Sequence, residues 1–333
     1  MIFNIHTDAP MRGLPVLDSA YPKDVTIMES ASGSATFEVK ITTEGKPAEY
    51  SYQWYLDGAV VSGETGSTFT KTGLASAASH TVYCKITNKA GSVNSRTAAL
   101  KVTSSKPVFT FTGSYAEPIS DGNYNWRLKL LSSGVLTFTE LGSMKNGIDV
   151  FCVGGGAGGA NGHRGGGGGG YTKTGKNIAV SVGTPYTIKV GAGGSAGVNG
   201  GESSGFGVTA DGGYTGAGLN GGRGGSGGGG GGCDYGGRDA GGDGGSNGGN
   251  GEAGQSYSDS TGAWGGGSGG SGQGSTTGEF GDPNAAKYAH GGGGASEHSS
   301  WGSSGTGTER IGGGGSGYGG SGGNGIVIIR NKR

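Results

Sequence analysis

The feature that most constrains this chain is a glycine-rich region that strand-like sequence closes at both ends. Residues 148–153 (IDVFCV) run directly into GGGAGG, and residues 325–330 (GIVIIR) end the region with a continuous β-branched run. Such a run is typical of a strand buried on both faces, and a strand needs a partner. The partners predicted for it lie far upstream, at 148–153 or 186–190. The glycine segments are therefore predicted to be closed loops of one sheet rather than a free tail.

Glycine is the residue whose backbone loses most freedom on folding, and 73 of the 86 glycines lie after residue 153. A segment with so few apolar residues normally stays disordered, but low net charge and few prolines are atypical of disordered linkers. Polyglycine II is an ordered alternative, with three residues per turn and backbone groups free to bond neighbouring helices. We predict such helices side by side around a core of backbone, without a G-X-Y period and with the rare larger residues outside or at turns.

The first part of the chain has a different pattern. Residues 1–24 contain three prolines and no periodicity, which predicts an extended attachment arm. Residues 25–104 alternate apolar and polar side chains in short segments with turn signals between them, as in a β-sandwich. The predicted strands are 35–41, 50–56, 67–72, 81–87 and 98–102, with Asp57-Gly58 as a hairpin turn. A linker at 104–107 leads into the glycine-rich domain, 105–333.

Charge and cysteine content exclude several classes of function. The chain has 24 basic and 24 acidic residues, which argues against nucleic acid as a partner. Three cysteines give no disulfide framework or metal spacing. No segment is apolar enough to insert into a membrane, and the N-terminus lacks the pattern of a signal peptide, so we expect folding in a cytoplasm.

Catalytic and metal motifs are weak in this background. Residues 224–228 fit G-x-S-x-G, but glycine content alone produces that match. His290, Glu297 and His298 match no zinc spacing, and Asp239, Asp243 and Glu252 lack the apolar position of calcium-binding repeats. We therefore expect no enzyme, no metal and no cofactor.

Aromatic residues with polar neighbours punctuate the glycine region. Two interpretations stay open for Tyr214, Tyr235, Tyr257, Trp264, Tyr288 and Trp301: they plug gaps in the fold, or they recognise a saccharide or protein with stacking faces and hydrogen bonds. Under the second interpretation the candidate receptor-binding residues are Tyr235, Tyr257, Trp264, Tyr288, His298 and Trp301. Trp264 and Trp301 have no apolar neighbours in sequence, which favours binding.

Residues 52–92 (YQWYLDGAVVSGETGSTFTKTGLASAASHTVYCKITNKAGS) resemble bacterial and phage immunoglobulin-like domains. By this resemblance Trp54 is the buried strand-C tryptophan and Cys84 the strand-F cysteine, and the domain is a spacer or weak adhesion module. Phe37 or Val39 occupies the position of the second cysteine, so the resemblance implies no inter-sheet disulfide. Val82 stands where the usual tyrosine corner would be, with Tyr83 beside it.

The segments FTELGSMKNGIDVFCVGGGAGG (138–159), GGGGGGYTKT (165–174) and GGSGGNGIVIIR (319–330) are similar to glycine-rich domains of phage tail-fibre and adhesin proteins. The resemblance covers about 108–333 and implies polyglycine-II helices in a virion-borne module that binds the bacterial surface through its loops. The expected fold is all-β: an immunoglobulin-like β-sandwich, then a β-sandwich-framed glycine-rich domain with polyglycine-II helices.

The expected function is that of a phage virion protein (tail fibre, tail tip or head fibre) acting as an adhesin. Its expected partners are a bacterial surface glycan or surface protein, and other virion proteins that dock on the arm. The alternative is a capsid or tail decoration protein with a structural or shielding role. An ice-binding face ranks last because nothing repeats regularly enough. Fibre proteins are often homo-oligomers, but no heptad pattern specifies that state here.

Overall fold

The computed structural model describes residues 12–161, 165–231, 241–246, 249–252, 278–282, 284–294 and 311–333. The chain divides into two compact units, Met1–Ser105 and Lys106–Arg333. In the described ranges the helices are short 3₁₀ turns, Gly142–Asn146 and Glu279–Gly281. The described part is therefore all-β, as the sequence predicted.

The first unit is a sandwich of antiparallel and parallel strand pairs. A sheet with the order β2-β10-β8-β5-β6, in which β9 also pairs with β8, packs against the pair β3-β7, and β1 pairs with β4. Their bounds are β1 (Val16–Leu17), β2 (Val25–Met28), β3 (Ser34–Glu38), β4 (Ile41–Thr43), β5 (Ser51–Leu56), β6 (Ala59–Val60), β7 (Thr68–Thr72), β8 (Ala78–Asn88), β9 (Gly91–Asn94) and β10 (Ala98–Thr103).

The core of this sandwich consists of apolar side chains that alternate with polar ones along the strands. Trp54 on β5 and Cys84 on β8 are opposite each other in register, and both are fully buried. Phe37 from the facing pair is also buried, and its ring stacks with that of Phe69. Cys84 is a buried free thiol, so it packs as a small apolar side chain, and the first unit has no inter-sheet disulfide at Cys84, as the resemblance implied.

Part of the predicted arm is paired with the first unit. The backbone N–H of Gly13 donates to the carbonyl of Lys46 at 3.1 Å, and β1 pairs with β4. The Asn88 side chain, which is buried, donates to the carbonyl of Gly13 at 2.9 Å. Residues 1–11 lie outside the described part, so the predicted docking function of the arm stays a prediction.

Glu29 ties the end of the first unit to its interior and makes stability depend on pH. Burial raises the pKa of its carboxyl, but hydrogen bonds from Ser105, Ala77 and Ser104 outweigh this and leave the pKa below the usual value. A lowered folded-state pKa stabilises the fold above the unfolded-state pKa, and the contribution is lost as pH falls through the folded-state value. In Glu29→Gln we expect lower stability at pH 7 and a shallower decline below about pH 4.5, measured by urea unfolding across pH. An unchanged pH profile would contradict this assignment.

The second unit frames the glycine region with two sheets. Their orders are β11-β14-β17 and β12-β13-β20-β15-β16, and β18 pairs with β19. The bounds are β11 (Val108–Phe111), β12 (Tyr115–Gly122), β13 (Asn125–Leu130), β14 (Gly134–Glu140), β15 (Ile148–Val153), β16 (Thr172–Ile178), β17 (Pro185–Ile188), β18 (Ser203–Gly205), β19 (Val208–Ala210) and β20 (Ile326–Asn331).

Strand β20 lies at the centre of the larger sheet, which confirms its prediction as a buried strand. It pairs antiparallel with β15, one of the two predicted partners, and with β13 on its other side. The other predicted partner region forms β17, in the smaller sheet. Val327 and Ile329 face one apolar core, while Ile326 and Ile328 face a second core on the opposite side of the sheet.

Glycine segments leave this sheet as extended helices with a three-residue hydrogen-bonding period. Along 154–160, every third backbone N–H donates to a carbonyl of the same neighbouring segment. The first neighbour is 165–171, which accepts from residues 154, 157 and 160; the second is 198–201, which accepts from 155 and 158; the third is 320–323, which accepts from 156 and 159. The donor–acceptor distances are 2.8–3.2 Å. One segment thus bonds three neighbours around its axis, as three residues per turn require. The predicted polyglycine-II bundle with a backbone core is confirmed.

Close contact between backbones explains why these positions are glycine. A Cβ atom placed on Gly156, Gly159 or Gly167 would lie closer than 3.0 Å to a carbonyl oxygen of a neighbouring helix. The glycine hydrogen at that place points at the carbonyl, as in a Cα–H···O contact.

The prediction that larger residues all lie outside or at turns is wrong for a few small side chains. Ala157 and Ser226 are buried within helices of the bundle, whereas the buried Ala160 and Ser316 lie at turns. A local X-Gly-Gly period also occurs, since Asp211 and Tyr214, and likewise Asn220 and Arg223, are spaced by three and exposed.

Candidate functional site

The glycine bundle has two ends with different surroundings. At the sheet end, Gly154 follows β15, Tyr171 precedes β16 and Gly325 precedes β20. At the far end, the N–H of Ala160 donates to the carbonyl of Gly165 at 3.2 Å, which closes the first helical hairpin.

The far end collects the points at which the loop segments leave the bundle. Gly231 donates to the carbonyl of Leu219 at 2.6 Å, and Gly230 donates to that of Glu252 at 3.0 Å. Gly166, next to Gly165, donates to the carbonyl of Gly229, and Gly229 donates to that of Gly292, both at 2.9 Å, so residues 229–231 and 292–293 lie at the far end. Segments 232–240, 253–277 and 295–310 therefore all begin at this end of the bundle.

The segments return to the bundle at different levels. Gly242 donates to the carbonyl of Gly228 at 2.7 Å, so segment 232–240 also returns near the far end. Segment 295–310 returns at the sheet end. The carbonyl of Ile311 accepts from the N–H of Ala289 at 3.0 Å, and the carbonyl of the next residue, Gly312, accepts from the N–H of Gly170. Gly278 likewise precedes the turn that packs on the sheet.

Five of the six predicted receptor-binding residues lie in these segments. Tyr235, Tyr257, Trp264, His298 and Trp301 are outside the described residues, so their proposed role stays a prediction. What the structure gives is the bundle position from which each of their segments starts.

Tyr288, the sixth predicted residue, is in the interior. Tyr288 is 7 % exposed, and its ring contacts that of Phe151 with centroids 5.8 Å apart. Its hydroxyl donates to Glu279 Oε2 at 2.9 Å. Burial raises the pKa of the Tyr288 phenol, and the Glu279 carboxylate adds to that effect. For this residue, the gap-filling interpretation describes the geometry.

Glu279 lies at the centre of a charged cluster, the Glu279 cluster, formed with Arg127, Lys129, Asp121 and Tyr288. The Glu279 side chain is 1 % exposed; it forms an ion pair with Arg127 Nη1, and Lys129 Nζ lies 4.0 Å from it. Arg127 also binds Asp121 at 2.9 Å. Burial works against the charged form of Arg127, but Asp121 and Glu279 outweigh it and raise the pKa.

The segment that carries Glu279 covers the second apolar core. Phe280 contacts Phe151, with centroids 5.9 Å apart, and Arg330 stacks over the Phe280 ring at 4.1 Å. Arg330 also binds the buried carboxylate of Asp149 at 3.3 Å. These ion pairs and ring contacts hold residues 279 and 280, which follow segment 253–277, against the sheet.

Sequence reasoning missed this cluster because its members are far apart in the chain. In β13, Leu128 and Leu130 face the main core, and Arg127 and Lys129 alternate with them on the opposite face. Nothing in the neighbouring sequence indicates a partner for these two basic residues. The sequence signal that could have found the cluster is the acidic-aromatic pair Glu279-Phe280 within a glycine region.

The two cysteine thiols in the described residues are weak acids. Burial raises the pKa of Cys84 to about 11 and that of Cys152 to about 12, so both stay protonated at neutral pH. Within the described ranges no three His, Cys, Asp or Glu side chains are grouped as metal ligands.

The profile of a family described as a glycine-rich domain matches residues 132–332, more than half of the chain. The protein therefore belongs to the glycine-rich domain family. No curated protein sequence matches the chain. Among the residues that the structure describes, none belongs to a helix that is long and apolar enough to cross a bilayer.

Proposed function

We propose that this protein is a phage virion component, of a tail fibre, tail tip or head fibre, that binds the bacterial surface through loops of its glycine-rich domain. The observation that supports this most is the common origin of segments 232–240, 253–277 and 295–310 at the far end of the bundle. A bundle held by backbone bonds is a stiff support, and binding residues are commonly carried on loops positioned by such a scaffold.

The first unit, in this proposal, is an immunoglobulin-like spacer. Trp54 and Cys84 face each other in the buried core, which is the arrangement that the resemblance implies for the two residues. The N-terminal arm would dock on other virion proteins. The bacterial partner is a surface glycan or surface protein, because the loops combine aromatic faces with Asp, Asn and Ser.

The test is binding of the labelled full-length protein to bacterial cells. In the double variant Trp264→Ala/Trp301→Ala we expect saturable binding to fall at least about tenfold while the melting temperature stays unchanged, since aromatic anchors dominate such interfaces. Tyr55→Ala, a truncation on the first unit, is the control and should bind like the wild type.

Two outcomes would change the proposal. Equal binding by the double variant and the wild type would remove both tryptophans from it. No saturable binding to any cells, with retained binding to virus particles, would favour the decoration function instead.

A further inference from the structure

A second group of aromatic and charged residues lies on the side of the bundle, away from the far end. We name it the Tyr214 cluster; its members are Tyr171, Asp211, Tyr214, Arg223 and Asp243. Asp211, Tyr214, Arg223 and Asp243 are exposed, while Tyr171 is partly buried.

The bundle backbone fixes this arrangement. The N–H of Tyr171 donates to the carbonyl of Asp211 at 2.8 Å, and the N–H of Tyr214 donates to that of Arg223 at 2.8 Å. Because three residues make one turn, Asp211 and Tyr214 stand on the same outer row of one helix. The N–H of Gly224 donates to the backbone carbonyl of Asp243 at 3.3 Å, which places Asp243 on the segment beside Arg223.

The side chains form one surface. The rings of Tyr171 and Tyr214 meet edge to face with centroids 6.4 Å apart, and the Arg223 guanidinium lies 5.4 Å from the centre of the Tyr214 ring. Tyr214 remains 39 % exposed. Burial raises the pKa of the Tyr171 phenol, the charges of Asp211 and Asp243 and the Tyr214 phenol add to that effect, and Arg223 opposes it.

We propose that the Tyr214 cluster is a binding site for a neutral pyranose saccharide. A pyranose has an apolar C–H face that packs on an aromatic ring, and hydroxyl groups that both donate and accept hydrogen bonds. The open part of the Tyr214 ring supplies the packing surface. The planar Arg223 guanidinium donates hydrogen bonds, and the Asp211 and Asp243 carboxylates accept them. The cluster can therefore pair with sugar hydroxyl groups both as donors and as acceptors.

The charge of the cluster selects a neutral sugar. Two carboxylates and one guanidinium leave a net negative charge, which disfavours phosphorylated or acidic saccharides. The rigid backbone also keeps the ordering cost of binding low, because the side chains stand on fixed helices. This inference deepens the proposed function and rests on its choice of a surface glycan as partner, and it adds a contact on the side of the bundle to those of the loops.

The experiment is saturation-transfer NMR and titration of the full-length protein with methyl pyranosides of glucose, galactose, mannose, rhamnose and N-acetylglucosamine. We expect at least one to bind, Tyr214→Ala to lower its affinity about tenfold or more, and Tyr214→Phe to keep it within about twofold, because the ring rather than the hydroxyl makes the contact. Arg223→Lys should weaken binding, since Lys lacks the planar fork.

The control is Tyr318→Ala, which truncates another exposed tyrosine, 47 % exposed, on the far-end turn. It should bind saccharide like the wild type, and all variants should keep the wild-type thermal transition. The inference is overturned if none of the five pyranosides binds, or if Tyr214→Ala binds as the wild type does. The two proposals fail separately. Wild-type cell binding by Trp264→Ala/Trp301→Ala, with Tyr214-dependent saccharide binding intact, overturns the loop contact alone. Absence of pyranoside binding, with cell binding lost in that double variant, overturns the Tyr214 site alone.

Discussion

Adding a single methyl group at Gly159 is expected to destabilise the glycine-rich unit by more than about 4 kcal/mol, a loss beyond that of ordinary substitutions. In Gly159→Ala the new Cβ would lie closer than 3.0 Å to the carbonyl oxygen and carbon of Ser316, both backbone atoms. A flexible side chain could rotate away from such a contact, but a backbone carbonyl cannot move alone. Relief requires the two helices to separate, which would break the bond from Gly159 to Gly320.

The matched control is Ala157→Gly, two residues earlier in the same helix. Ala157 is fully buried and already carries a Cβ, so this variant makes the opposite change at a site of similar burial. Loss of one buried methyl group and the greater freedom of glycine in the unfolded chain together cost about 1–2 kcal/mol.

The measurement is urea unfolding combined with amide hydrogen exchange of the full-length protein. Protection of the amides at 154–170 should fall sharply in Gly159→Ala and only slightly in Ala157→Gly. Protection in the first unit should not change in either variant. Comparable stability of the two variants would mean that the bundle tolerates expansion, and that its glycines are not required by close packing.

The sequence could predict that the bundle exists, but it could not predict which glycine helices lie next to each other. A run of β-branched residues predicts strand β20, and the apolar run just before the first glycines predicts strand β15. The helices between them carry almost no side chains, so nothing in the sequence distinguishes one neighbour from another. Gly155 bonds Gly201 and Gly156 bonds Gly323, a pairing that follows from backbone packing of the whole unit.

The candidate site shows the same limit. An aromatic residue among glycines has the same sequence context whether it binds a ligand or fills a gap. Tyr288 is buried because Glu279, Phe280 and Phe151 surround it, and Phe151 lies on a distant strand. The exposed pair Tyr214 and Arg223 could have been found from the X-Gly-Gly spacing, which places both on the outside of their helices.

Removing the positive charge of Arg127 should be the most damaging change at the Glu279 cluster. In Arg127→Met, the carboxylate of Glu279, 1 % exposed, keeps the Tyr288 hydroxyl at 2.9 Å and Lys129 Nζ at 4.0 Å but loses its direct ion-pair partner. Leaving a buried charge without its partner typically costs about 3–5 kcal/mol, because the desolvated charge is no longer compensated. Urea unfolding of the full-length protein measures this loss.

The control and the second variant separate the charge from the shape of the side chain. Lys189→Met breaks the exposed pair with Glu202, in which the side chains are 54 % and 43 % exposed, and should cost no more than about 1 kcal/mol. Arg127→Met/Glu279→Gln removes the stranded charge while keeping a hydrogen-bond acceptor for Tyr288, so it should recover part of the loss. Equal effects of Arg127→Met and Lys189→Met would mean that aromatic packing of Phe280 and Tyr288 alone holds the segment on the sheet. A large difference with partial recovery would mean that charge pairing at Arg127 holds the end of segment 253–277, which carries Tyr257 and Trp264.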